Sequence, residues 1–72
     1  MNLKIVAILN QPSIVYTYYI YTDSRNLDYL RKKIRKVIKD SFPPYTNLIG
    51  VITVFSKGYT DNHDALFDRF YL

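Results

Sequence analysis

Residues 14–22 have the sequence Ile-Val-Tyr-Thr-Tyr-Tyr-Ile-Tyr-Thr, in which every side chain is β-branched or aromatic. Such side chains favour an extended backbone, so we predict a β-strand here. A second short apolar run precedes it at residues 3–9, Leu-Lys-Ile-Val-Ala-Ile-Leu. The residues between the two runs, Asn-Gln-Pro-Ser at 10–13, are typical of a turn. The sequence therefore predicts an antiparallel hairpin over residues 3–22.

The segment that follows the hairpin has the spacing of an amphipathic helix. Asp23 and Ser24 are candidate N-cap residues. Five apolar residues then recur on a single helical stripe: Leu27, Leu30, Ile34, Val37 and Ile38. We expect Pro43 and Pro44 to end the helix, because the residue before a proline avoids the α region.

The remaining sequence predicts one further strand and a short helix. Residues 47–56 form the third predicted strand, in which Gly50 marks a bulge or a close approach of another backbone. For residues 60–72 we predict a short helix, and a fourth strand is the alternative. The elements then follow one another in the order ββαβ.

These elements predict an α+β fold. It comprises a three-stranded antiparallel sheet of order 2-1-3, one amphipathic helix on one face and a short C-terminal helix. A right-handed crossover from strand 2 to strand 3 most simply leaves strand 1, the most continuously apolar strand, in the middle. The 72 residues make a single domain.

The composition excludes several kinds of site. Cysteine is absent, which removes disulfides and thiolate metal sites, and His63 is the single histidine. We therefore expect no metal and no cofactor. We also do not expect an enzyme, because no convergent cluster of polar residues is evident. For His63, which lies between Asp61 and Asp64, we favour a place in the first turn of the C-terminal helix over a role as ligand or base.

The sequence contains no stretch that resembles a signal peptide or a membrane span. The longest apolar run near the start covers only residues 5–9. We therefore expect no membrane association and a cytoplasmic protein. Residue types with AT-rich codons (Ile, Tyr, Asn, Lys and Phe) make up 31 of the 72 residues. This bias suggests a viral or phage accessory protein, which would act inside an infected host cell.

The predicted strands are apolar on both faces, whereas one long helix can cover only one face. Large exposed apolar patches are rare on monomers. We therefore predict self-association, as a two-fold homodimer. The alternative is a monomer whose C-terminal segment covers the second face.

Positive charge is concentrated on the predicted helix. Residues 24–40 carry seven Lys or Arg against two Asp, a net charge of +5, while the rest of the chain has a net charge of −1. Such a face attracts the phosphate backbone of nucleic acids. The alternative is a solvated helix face with no partner. The candidate nucleic-acid-binding residues are Arg31, Lys32, Arg35, Lys36 and Lys39.

Four of the eight tyrosines lie within residues 16–21. Tyrosines on a strand can stack unpaired bases or anchor a protein interface, and they also occur simply because tyrosine favours strands. The candidate interface residues are Tyr16, Tyr18, Tyr19, Tyr21 and Phe55. The sequence thus predicts a non-enzymatic binding protein whose basic helix binds nucleic acid. The alternative is an inhibitor or adaptor of viral or mobile-element origin that binds a host protein through the tyrosine-rich sheet.

Overall fold

The computed structural model describes residues 1–11, 13–42, 48–57 and 64–72. Four strands and one helix lie in this part of the chain: β1 (Asn2–Gln11), β2 (Ser13–Tyr21), α1 (Leu27–Ser41), β3 (Ile49–Lys57) and β4 (Asp64–Tyr71). Several predicted features fall outside it, namely Pro12 in the turn, the two prolines after the helix, and Thr60, Asp61 and His63.

The strands form one sheet in the order β2-β1-β3-β4, and each neighbouring pair is antiparallel. The predicted α+β class and the 2-1-3 order of the first three strands are therefore confirmed. Because β2 and β3 both run antiparallel to β1, they are parallel to each other, and α1 makes the connection between them.

The prediction of three strands followed by a short C-terminal helix is wrong, because residues 64–71 form a fourth strand. A β-bulge makes the sequence pattern of this strand irregular. Asp68 pairs with Val54 and Leu66 pairs with Phe55, so Phe67 is an extra residue without a partner in β3. The extra residue breaks the alternation of apolar and polar residues, and the remaining spacing resembles that of a helix.

The start of α1 also differs from the prediction. Asn26 is the N-cap residue, and its side-chain oxygen accepts a hydrogen bond of 3.2 Å from the backbone N–H of Tyr29. Ser24 lies two residues earlier, where its hydroxyl accepts a hydrogen bond of 3.2 Å from the N–H of Asn26. The Ser24 hydroxyl therefore holds the backbone just before the helix. The Asn26 side chain accepts a hydrogen bond from one of the first-turn N–H groups that have no partner within the helix.

The hydrophobic core lies between α1 and one face of the sheet. Side chains alternate across each strand, so one set of residues from each strand meets the helix. From α1 the core takes three of the five residues of the predicted apolar stripe, Leu30, Ile34 and Ile38, and Phe70 of β4 completes it. The buried apolar residues are Leu3, Ile5, Ala7, Leu9, Leu30, Ile34, Ile38, Ile52, Val54 and Phe70.

The other side of the sheet, which we call the open face, is not covered by any described element. The register places on it Val6, Ile8, Val15, Tyr19, Tyr21, Val51, Phe55, Leu66 and Tyr71, together with Lys4, Thr17, Thr53, Lys57 and Arg69. Residues 64–72 extend the sheet at its edge and do not fold across this face. Within the described residues, no helix is long and apolar enough to cross a membrane.

Candidate nucleic-acid interface

The outer surface of α1 carries a line of three lysines. Lys32 and Lys36 lie one turn apart, and Lys39 follows three residues later, so the three side chains project from the same side of the helix. All three are exposed, whereas Leu30, Ile34 and Ile38 on the opposite side are buried. Burial of the apolar stripe against the sheet therefore turns these lysines, which we call the lysine line, towards solvent.

The two arginines among the candidate binding residues, Arg31 and Arg35, contact β4. Nε and Nη2 of Arg31 donate hydrogen bonds of 2.9 and 2.8 Å to the two carboxylate oxygens of Asp68 on β4. Nη2 of Arg35 donates a hydrogen bond of 3.1 Å to the backbone carbonyl of Tyr71. Both guanidinium groups also lie over the ring of Phe70, at 5.3 and 4.9 Å from its centre. Both arginines therefore hold α1 against β4.

The pair of Arg31 and Asp68 stabilises the charged form of both groups. The hydrogen bonds from Arg31 lower the pKa of the Asp68 carboxyl below its ordinary value, against the opposing effect of burial. The same hydrogen bonds raise the pKa of the Arg31 guanidinium. Asp68 is thus an ionised partner within its own chain, and it neutralises one of the five predicted binding residues.

The candidate tyrosines divide between the two faces of the sheet. Tyr16 and Tyr18 lie on the side of α1, where they pack against the core with their ring centres 5.5 Å apart. The hydroxyl of Tyr18 is buried and has no hydrogen-bond partner among the described residues. Burial, together with the neighbouring Tyr16, raises the pKa of Tyr18 to about 12. These two tyrosines therefore belong to the packing between helix and sheet.

Tyr19, Tyr21 and Phe55 lie on the open face. Tyr19 is 59% exposed, and the ammonium group of Lys57 lies over its ring, 5.1 Å from the ring centre. This separation is typical of a cation–π contact. Phe55 is partly buried between Lys4 and Leu66, its register partners on either side. The open face thus combines exposed aromatic rings with cationic side chains.

Sequence reasoning did not identify the part of this face that β4 supplies. Tyr71 is 78% exposed, and Leu66 and Arg69 are also exposed there. The alternation of Arg69, Phe70 and Tyr71 was a signal for a strand, but it is only three residues long. Because the helix interpretation of residues 60–72 was wrong, these side chains were not assigned to the sheet.

One row of the open face is apolar across all four strands. Val15, Ile8, Val51 and Tyr71 are successive partners in the register. Beside the β1, β3 and β4 members of this row lies a shallow depression of about 240 Å³, lined by Ile8, Asn10, Ile49, Gly50, Val51 and Tyr71. The depression is lined mainly by apolar groups and has no charged side chain in its wall.

The part of the chain that the structure describes contains no group of three His, Asp or Glu side chains placed to hold a metal ion. Asp61 and His63 lie outside that part. The expectation that the protein is not an enzyme stays a prediction.

Comparison of the chain with known proteins found no matching family model, no matching curated protein and no matching solved structure.

Proposed function

We propose that this protein is a non-enzymatic binding protein that holds nucleic acid by its phosphate backbone, through the outer surface of α1. The observation that supports the proposal is the lysine line: three exposed cations on one side of one helix, turned away from the core. Lys39 lies seven positions after Lys32, so the line is about 10 Å long, which allows contact with successive phosphates.

The chemistry of the exposed cations favours backbone contacts over base recognition. A lysine ammonium is a compact point charge that binds phosphate without demanding one geometry, whereas arginine forms paired hydrogen bonds with base edges. Arg31 and Arg35 are held by β4, at Asp68 and at the carbonyl of Tyr71. We therefore expect binding through α1 to depend weakly on nucleotide sequence.

The test is the salt dependence of binding in the variant Lys32→Gln/Lys36→Gln/Lys39→Gln. Affinity for a fluorescein-labelled single strand is measured by fluorescence anisotropy over a series of NaCl concentrations. Each neutralised phosphate contributes about 0.7 to the slope of log K against log salt for a single strand. Loss of three contacts should therefore reduce the magnitude of the slope by about 2 and weaken binding at low salt.

Lys33→Gln is the matched control, because Lys33 is exposed on α1 but lies off the lysine line. We expect it to change the slope by less than one phosphate contact. A triple variant with the wild-type slope would overturn the proposal. So would a wild-type interaction that does not respond to salt, which would favour the alternative of a protein-binding inhibitor or adaptor.

A further inference from the structure

We infer that the open face of the sheet is a platform for single-stranded nucleic acid, on which unpaired bases stack against Tyr19 and Tyr71 while phosphates contact Lys57 and Arg69. The inference rests on the proposed function, to which it adds the class of nucleic acid and a second binding surface. The observation behind it is the combination of exposed aromatic rings and cations on one uncovered sheet.

The two tyrosines have the exposure and the separation that a stacking platform needs. Both tyrosines are more than half exposed on the open face of the sheet. Tyr19 lies on β2 and Tyr71 on β4, three strands apart and two register rows apart. Strand spacing and rise per residue place them about 19 Å from each other. A strand of a few nucleotides lying diagonally across the sheet therefore reaches both rings.

The charge of the open face favours an anionic occupant. Among residues whose side chains are described, this face carries Lys4, Lys57 and Arg69 and no carboxylate. The ammonium group of Lys57 lies over the Tyr19 ring, so a base that stacks on this face of the ring displaces it and brings a phosphate within its reach.

A second copy of the chain is the competing occupant of the same face. Among the described residues the open face carries Lys4, Lys57 and Arg69, so two copies packed face to face would bring two sets of like charges into one interface. Packing two copies face to face would also bury the cations of both copies in one apolar layer, at a desolvation cost. A single strand meets neither difficulty, because its phosphates neutralise the cations and its bases cover the rings.

The test compares two tyrosine double variants and one control variant in anisotropy titrations with labelled oligothymidylate of about 20 nucleotides. This length exceeds the roughly 4–16 nucleotides that one OB-fold covers. A duplex of similar length is titrated in parallel. The variant Tyr19→Ala/Tyr71→Ala should lose about tenfold in single-strand affinity for each ring removed, because a stacked base contributes about 1–3 kcal/mol. Its affinity for duplex should equal that of the wild type. Tyr19→Phe/Tyr71→Phe keeps both rings and should keep the affinity.

Leu27→Ala is the control, because Leu27 is an exposed apolar residue at the start of α1, away from both the open face and the lysine line. We expect it to bind like the wild type. Circular dichroism establishes that each variant is folded. If the alanine double variant does not fold, the variant Lys57→Gln/Arg69→Gln decides the question, because both side chains are exposed. We expect this variant to bind the single strand more weakly and with a smaller salt dependence than the wild type.

Wild-type single-strand affinity in the folded alanine variant would overturn the platform and leave the lysine line to its own test. No salt-sensitive binding of the wild type to either probe would overturn both proposals. A wild-type dimer in light scattering that becomes a monomer in the alanine variant would show that a second copy occupies the face, which also contradicts the inference.

Discussion

Gly50 shows how one residue permits two strands to approach each other. β1 has an irregularity between Leu9 and Gln11, opposite Gly50 and Ile49 of β3. A Cβ atom at position 50 would clash with the carbonyl oxygen of Ile8 and would lie 2.8 Å from Cδ2 of Leu9. The prediction from sequence that Gly50 marks a close backbone approach is thus confirmed.

Gly50→Ala should destabilise the fold by about 1–3 kcal/mol, because the added methyl group forces β1 and β3 apart beside the core. The free energy of unfolding is measured by chemical denaturation. Thr53→Ala is the control, since Thr53 lies on the same strand but on the open face, and it should change stability by less than about 1 kcal/mol. Equal stability of Gly50→Ala and the wild type would show that the contact is absent.

Two elements, α1 and β4, depend on each other. Arg31 and Arg35 reach from the helix to Asp68 and to the carbonyl of Tyr71, and both cover the ring of Phe70. Phe70 itself is buried in the core. The helix therefore packs on the first three strands through its apolar stripe and on the fourth strand through two cationic side chains.

The pair between Arg31 and Asp68 makes stability depend on pH in the acid range. The pKa of Asp68 is lower in the folded chain than its ordinary value of 3.8, so the unfolded chain takes up a proton first as the pH falls. The stabilisation is complete well above pH 3.8 and is lost as the pH falls below that value towards the folded pKa. Asp68→Asn should remove this component, so its stability should fall less steeply with acid.

Denaturation of Asp68→Asn and the wild type at a series of pH values measures this difference. Asp40→Asn is the control, because Asp40 is exposed near the end of α1, nine residues from Arg31, and makes no described ion pair with β4. Parallel stability curves for the wild type and Asp68→Asn would contradict a role for the pair.

Four of the five elements could be predicted from the sequence, because their patterns are long and regular. Strands β1 and β2 are continuous runs, and the apolar residues of α1 recur at helical spacing over more than two turns. Strand β4 was only the alternative to a short helix, since the extra residue Phe67 shifts Leu66 to the open face while Phe70 stays in the core. The same error affected the candidate site. The positions of Lys32, Lys36 and Lys39 follow from the helix alone, whereas the roles of Arg31 and Arg35 depend on β4.

At the scale of the whole molecule, the fold separates two cationic surfaces. The lysine line lies on the outer side of the helix, and the open face lies on the far side of the sheet, with the core between them. The surfaces differ in chemistry, because the helix offers mainly charge, while the sheet adds exposed rings. We therefore expect duplex and single strand to compete for the lysine line, and single strand alone to use the sheet.

Nuclear magnetic resonance of protein with isotope-labelled tyrosine rings tests the central proposal most directly, because it reports on each ring separately. On addition of oligothymidylate at low salt, the ring signals of Tyr19 and Tyr71 should move upfield as bases stack on them, while those of Tyr16 and Tyr18, on the side of the helix, stay in place. If every tyrosine signal remains unchanged while oligothymidylate is in excess, this protein does not bind single-stranded nucleic acid on its sheet, and the account is contradicted.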